Sequence, residues 1–164
     1  MKKTLTNIKG IDLICKQYLE PNNIPYEAYT IDDEVNNHLD FEDISMLIDT
    51  DYVLAYCTIA GIVCKDEVCL KQVKEYLHRC NYENGLVWFD LYESNNKELN
   101  ITCGFNTFFE EKNIKAVLLD GILEIKRMKN TYALGIKEVA QGAGNARDIF
   151  SKYCVIDTIK RNKN

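Results

Sequence analysis

The spacing of apolar residues in the first part of the chain predicts one helix followed by three strands. Apolar side chains recur every three or four residues from about Asn7 to Leu19, which is typical of a helix that buries one face. The only two prolines follow and frame a turn. Alternation then predicts strands at Tyr26 to Ile31 and His38 to Ile48, the second with a bulge near Asp43. The apolar run from Tyr52 to Val63 is typical of a strand buried on both faces at the centre of a sheet.

The middle of the chain changes to a helical period and then returns to alternation. Apolar residues at intervals of three and four predict a helix over about Lys65 to Cys80. Two alternating segments, Leu86 to Tyr92 and Leu99 to Phe105, are separated by a polar turn and predict an antiparallel hairpin. A long helix is predicted from about Glu110 to Val139, despite two internal glycines.

The last part of the chain is predicted to form a separate segment. Gly142 to Asn145 interrupts the helical pattern and predicts a hinge. Ala146 to Ile159 is again amphipathic, and a basic tail follows from Lys160 to Lys163. We therefore expect residues 1–141 to form a single domain, and residues 142–164 to form a hinge and a C-terminal amphipathic segment.

The order of these elements predicts an α+β fold. The order is α-β-β-β-α-β-β-α plus a C-terminal helical extension. Strands grouped by hairpins favour an antiparallel sheet, of about five strands, with helices packed on one face. No strand is followed by a glycine-rich turn and a helix, so the sequence argues against a doubly wound nucleotide-binding fold.

Composition and charge narrow the possible partners. Of 164 residues, 46% are hydrophobic, and the net charge is -5. The acidic balance offers no field that attracts nucleic acid, so we expect none as a partner. No segment reaches the roughly 18 apolar residues of a membrane helix. The N-terminal sequence begins with two lysines but soon turns polar, unlike a signal peptide. We expect a cytoplasmic protein with no membrane partner.

Candidate chemistry is sparse. The seven cysteines are scattered without CxxC spacing and are expected to be reduced and buried, and no metal or cofactor is expected. A cysteine nucleophile would need a nearby histidine, but His78 and Cys80 are two residues apart and point in different directions on a helix. The acidic stretch from Asp32 to Asp43 lacks the pattern of a calcium loop and is interpreted as a solvated hairpin. No catalytic residue is predicted.

Two phrases in the middle of the chain carry a family resemblance. The segments Arg79–Glu83 and Trp88–Leu91, together with the element order from about Leu39 to Tyr132, resemble the bacterial YbjN-like domains. The cysteine-rich strands and the tail after Gln141 depart from that pattern. The resemblance implies the type III secretion chaperone-like fold, a homodimer and non-enzymatic binding of another protein.

The aromatic residues provide the candidate binding surface. Trp88, Tyr92 and Leu86 share one face of a strand, and they form a protein-binding patch if helices leave that face of the sheet open. If helices cover it, Trp88 belongs to the core. Phe150 and Tyr153, on the C-terminal segment, are candidates for the same surface. A chaperone-like or adaptor-like regulator is the first hypothesis. The alternatives are a small-molecule sensor or enzyme with its site between sheet and helices, and a structural subunit of a larger assembly.

Overall fold

The computed structural model describes residues 9–30, 37–83, 86–93 and 98–163. The first eight residues, the predicted turns at 31–36 and 94–97, and the helix stop at 84–85 therefore lie outside the described residues. The α+β prediction is confirmed. The described strands are β1 (Tyr26–Thr30), β2 (Asn37–Phe41), β3 (Ile44–Ile48), β4 (Tyr52–Val63), β5 (Trp88–Glu93) and β6 (Glu98–Phe108).

The helices lie close to the predicted positions. Helix α1 (Lys9–Ile14) continues into a π-helical turn (Cys15–Leu19), and α2 (Glu67–Glu83) follows β4. A second π-helical turn (Ala116–Asp120) leads into α3 (Gly121–Ala140), and α4 (Ala146–Arg161) is the C-terminal segment.

The strands form one antiparallel sheet with the order β1-β2-β3-β4-β6-β5. One face of this sheet is buried, because the residues of β2 and β3 alternate between buried and half-buried. A row of cross-strand partners on the buried face comprises Leu39, Met46 and Ala55. The other face is more open to solvent, which is the arrangement expected of an antiparallel sheet with helices on one side.

The strand count exceeds the predicted five, because the segment from His38 to Ile48 is a hairpin and not one bulged strand. Glu42 and Asp43 form its two-residue turn, which pairs Phe41 with Ile44. Glu42 has a φ of 51°, the left-handed conformation that tight hairpins favour. This turn moves the apolar residues from odd-numbered to even-numbered positions. That change in the sequence pattern was interpreted as a bulge.

Strand β4 is central as predicted, but the prediction that both of its faces are buried is wrong. Val53, Ala55 and Cys57 are buried, whereas the side chain of Tyr56 between them is 38% exposed. The apolar run in the sequence of β4 is nearly continuous because apolar residues also occupy many positions of the open face. Gly61 has a φ of 72°, which L side chains rarely adopt, so a glycine is favoured at this bend.

The chain divides into two compact units. The first comprises residues 1–57 and 104–124, and the second comprises residues 58–103 and 125–164. In the first unit, the α carbon of Gly10 on α1 faces the side chains of Ile48 and Leu118 so closely that a methyl group would contact both at 3.1 Å.

The core of the second unit is an aromatic cluster. Tyr132 and Phe150 each contact Tyr76 and each other, and Phe89 contacts Tyr132, with ring centroids 6.0–6.4 Å apart in each of these pairs. These four side chains come from α2, β5, α3 and α4, so one cluster joins all four elements. Gly135 allows the close approach, because a methyl group there would clash with the Tyr76 hydroxyl oxygen.

The connection between α3 and α4 has well-defined caps at both ends. Gly142 has a φ of 75°, and the N–H groups of Gly142 and Ala143 donate to the carbonyls of Val139 and Glu138. This pattern is a Schellman motif that closes α3. Asn145 then caps α4, because its side chain accepts from the N–H of Asp148 at 2.9 Å.

Helix α4 packs against its neighbours through polar contacts as well. The side chain of Gln72 on α2 accepts from the N–H of Ala146 at 2.7 Å. Asp157 is buried and forms ion pairs with Arg127 and Arg161, while the Tyr132 hydroxyl donates to it at 3.4 Å. These bonds fix both ends of α4 within the second unit.

Candidate functional site

The exposed aromatic surface of the second unit lies on strand β5. Phe89 points into the core, while Trp88 is half-buried and Tyr92 is 70% exposed on the opposite face. Leu86, just before the strand, is 49% exposed. Leu86, Trp88 and Tyr92 together are called the β5 surface below. An exposed group of large apolar side chains on a wet sheet face is an arrangement found at protein-binding sites.

Acidic side chains lie on and near the β5 surface. Asp90 lies between Trp88 and Tyr92 on the same face and is exposed, and Glu93 and Glu98 are exposed at the neighbouring ends of β5 and β6. Lys74 of α2 forms an ion pair with Glu93 at 3.1 Å. The surface therefore combines apolar rings with negative charge.

The outer edge of β5 is closed by a side chain. Asn81, in the last turn of α2, donates its amide N–H to the carbonyl of Phe89 at 2.8 Å and accepts from the Phe89 N–H at 2.6 Å. The N–H of Leu91 is bonded to the carboxylate of Asp90 at 2.9 Å. These bonds use main-chain groups that an added strand would need, so the β5 edge is protected against strand addition. The Asn81-to-Phe89 bonds also join the two phrases that carry the family resemblance.

Phe150 and Tyr153 do not belong to this surface, and their prediction as surface residues is wrong. They are 8% and 5% exposed, respectively. Phe150 lies in the aromatic cluster, and the Tyr153 hydroxyl donates to Glu138 at 2.9 Å. The amphipathic pattern of α4 correctly marks an apolar face, but that face is covered by α2 and α3.

A second candidate site, which the sequence did not reveal, is a cavity of about 410 Å³ between α2 and α4. Its lining residues are Glu75, His78, Arg79, Tyr82 and Phe150. The first four recur at helical spacing along α2 and so share one face of that helix. This spacing was readable in the sequence, but the contribution of Phe150 depends on how α4 packs.

Four of the seven cysteines are poorly suited to act as nucleophiles. Burial raises the pKa of Cys15, Cys64, Cys69 and Cys80, which suppresses the reactive thiolate form. His78 is exposed and lines the cavity, whereas Cys80 is buried. The predicted divergence of these two side chains is confirmed.

A polar cluster on the open face of the first unit is also poorly suited to catalysis. Tyr29 stacks on His38 with ring centroids 5.2 Å apart and donates its hydroxyl to Asp40 at 2.9 Å. The bond to Asp40 raises the pKa of Tyr29, which is the opposite of what a tyrosine base needs.

Within ranges 9–30, 37–83, 86–93 and 98–163, no group of three or more histidine, cysteine or acidic residues could hold a metal ion. Over the same residues, no helix combines the length and apolar character needed to cross a membrane.

Comparison with solved structures adds a structural likeness. No protein-family model matches the chain, and no curated protein matches its sequence. Among solved structures, the chain is similar to an uncharacterized protein from Methanothermobacter thermautotrophicus, at 16% identity and a TM-score of 0.42. The match covers 71% of this chain and 96% of that chain, and it implies no function.

Proposed function

We propose that the protein is a non-enzymatic binding module that recognises another protein through the β5 surface. The observation that carries this proposal is the exposure of Leu86 and Tyr92 beside Trp88 on a sheet face whose opposite side is buried. Tryptophan and tyrosine are the side chains most often responsible for binding energy at protein interfaces. A YbjN-like, chaperone- or adaptor-like regulator acting in the cytoplasm as a homodimer is part of the same proposal.

The chemistry of the surface favours a particular class of partner. Asp90 and Glu98 place negative charge beside the apolar side chains, and the whole chain is acidic. Charge complementarity therefore favours a polypeptide segment with apolar side chains flanked by lysine or arginine. Because Asn81 and Asp90 occupy the strand edge, we expect the segment to bind to the face of the sheet and not as an added strand.

The seven cysteines support a cytoplasmic location. None of the seven forms a disulfide bond, and five of them are buried. Cysteines without disulfide bonds in these numbers suit a reducing compartment, where disulfide bonds seldom persist.

The test is capture of partners from a lysate of the source organism by the tagged protein in reducing buffer. We expect one protein at near-stoichiometric amount, bound by the wild type and lost with Trp88→Ala/Tyr92→Ala. Leu86→Ser/Tyr92→Ser repeats the test without altering the half-buried tryptophan. Tyr82→Ala is the matched control, because it removes an exposed tyrosine from α2, away from the β5 surface.

The outcome separates this proposal from its alternatives. A partner that both double variants retain would exclude the β5 surface as its site. Light scattering of the captured complex and of the free protein would distinguish a stable homodimer from a monomer or a subunit that is soluble only with its partner.

A further inference from the structure

The cavity between α2 and α4 is lined by residues that take no part in the proposed protein binding. Its volume of about 410 Å³ lies within the roughly 300–1,000 Å³ typical of small-molecule sites. Two aromatic residues line it: Tyr82, which is 83% exposed, and Phe150, which is 8% exposed because its ring packs against Tyr76 and Tyr132. A cavity lined by one exposed aromatic ring favours a flat molecule that can stack on that ring.

The polar lining offers a hydrogen-bond acceptor and a hydrogen-bond donor side by side. Arg79 donates from Nε at 3.2 Å and from Nη2 at 2.7 Å, and both bonds end on Oε1 of Glu75. Within the described residues, Oε2 of Glu75 and Nη1 of Arg79 have no bond to other protein groups. The ion pair thus holds the two side chains in place and leaves each with capacity for a ligand.

This combination matches one edge of a guanine ring. Guanine presents two N–H donors next to a carbonyl acceptor on its Watson–Crick edge, so one free carboxylate oxygen can accept from these donors while a guanidinium donates to the carbonyl. Glu75 and Arg79 would supply these groups, and Tyr82 would stack on the ring. Adenine lacks the paired donors and would leave the carboxylate unmatched.

We propose that the cavity between α2 and α4 binds the base of a guanine mononucleotide. His78, which also lines the cavity, supplies a ring N–H donor for the ribose or phosphate oxygens. A free mononucleotide fits better than a nucleic acid strand, because the net charge of -5 opposes binding of a phosphate chain. This site is separate from the β5 surface, so the two proposals stand or fall independently.

The test is isothermal titration of the full-length protein with the 5′-monophosphates of guanosine, inosine and adenosine. These probes share the ribose phosphate and differ in the base. We expect guanosine monophosphate to bind at one site per chain, and adenosine monophosphate to bind at least about ten-fold more weakly. Inosine monophosphate, which lacks the exocyclic amine, should fall between them.

Three variants locate the site. Glu75→Gln should weaken binding of guanosine monophosphate at least about ten-fold, since its single amide oxygen cannot accept from both Arg79 and the base. Tyr82→Ala should weaken all three probes through lost stacking. Leu134→Ala, which truncates an exposed side chain on α3 outside the cavity lining, should leave the affinities unchanged.

The contradicting results are specific. Absence of binding at millimolar guanosine monophosphate would overturn the proposal, as would equal affinity for adenosine monophosphate. Binding that survives both Glu75→Gln and Tyr82→Ala would also overturn it. Because all three substituted side chains are exposed or half-exposed, we expect the variants to fold, which circular dichroism checks.

Discussion

Two buried tyrosines in the aromatic cluster of the second unit differ in the hydrogen bonding of their hydroxyl groups. Tyr132 donates to Asp157, whereas the hydroxyl of Tyr76 has no hydrogen-bond partner in the described part of the chain. Burial strongly raises the pKa of Tyr76, because the phenolate would be desolvated. A buried, unpaired hydroxyl costs about 1–3 kcal/mol of stability.

The two hydroxyls therefore give opposite predictions. Tyr76→Phe should raise the free energy of unfolding by about 1 kcal/mol, since it removes the unpaired group and keeps the ring. Tyr132→Phe should lower it by about 1–2 kcal/mol, because Asp157 loses a donor. Urea unfolding of the two variants beside the wild type measures both. A loss of stability in Tyr76→Phe equal to that in Tyr132→Phe would mean that the Tyr76 hydroxyl does have a partner.

At the scale of elements, the attachment of β5 to α2 depends on the Asn81 amide. Replacement by alanine leaves the N–H and carbonyl of Phe89 without their partners. We expect Asn81→Ala to lower the free energy of unfolding by about 1–3 kcal/mol. It should also cause self-association, because the edge of β5 becomes free to pair.

The control for this prediction is the next residue. Tyr82→Ala removes a larger side chain, but one that is exposed, so its effect on stability should stay within about 0.5 kcal/mol. Urea unfolding gives the stabilities, and sedimentation velocity gives the degree of association. An Asn81→Ala protein that is as stable and as monodisperse as Tyr82→Ala would show that the Asn81 bonds contribute little.

The contact between α3 and α4 predicts a dependence on pH. Hydrogen bonds from Lys152 and Tyr153 lower the pKa of Glu138 from its usual 4.5. A lowered folded-state pKa contributes stability above pH 4.5, and that contribution is lost as the pH falls through the folded-state pKa. The stability difference between wild type and Glu138→Gln should therefore be constant near neutral pH and shrink below pH 4.5.

Thermal unfolding between neutral pH and pH 3 checks this prediction. Lys152→Met should show the same trend, since it removes the cation that bonds Glu138. Both side chains are partly exposed, so the effect should be small and should weaken in high salt. A difference that is independent of pH would assign the stability of this contact to packing alone.

The elements also show what the sequence could predict. The hairpin of β5 and β6 and the helices of the second half follow from strong alternation and helical periodicity. The turn at Glu42 and Asp43 was missed, because it lacks the glycine or asparagine that usually marks a tight hairpin. Such periodicity reveals which face of an element is apolar, but not what covers that face.

The candidate sites illustrate the same limit. Trp88 and Tyr92 were assigned to one face correctly, because strand alternation is local. The burial of Phe150 and the cavity beside it depend on the packing of α4 against α2, two elements more than 60 residues apart in the chain. No local pattern encodes that contact.

At the scale of the whole molecule, buried and exposed apolar side chains have different roles. The apolar side chains of helices and strands fill the cores, the chain carries a net charge of -5, and the β5 surface retains large exposed side chains. Exposed aromatic groups beside well-formed cores are the reason for proposing a binding function.

The central claim can be measured directly, because Trp88 is the only tryptophan in the chain. Its fluorescence therefore reports on the β5 surface alone when the partner contains no tryptophan or when Trp88 is labelled with a fluorinated analogue. The measurement is acrylamide quenching of Trp88 in the free protein and in a stoichiometric complex with the captured partner. We expect acrylamide to quench the fluorescence of Trp88 in the free protein. In the complex, we expect Trp88 to be strongly protected from the quencher. Unchanged quenching in a complete complex would place the partner elsewhere and contradict a binding role for the β5 surface.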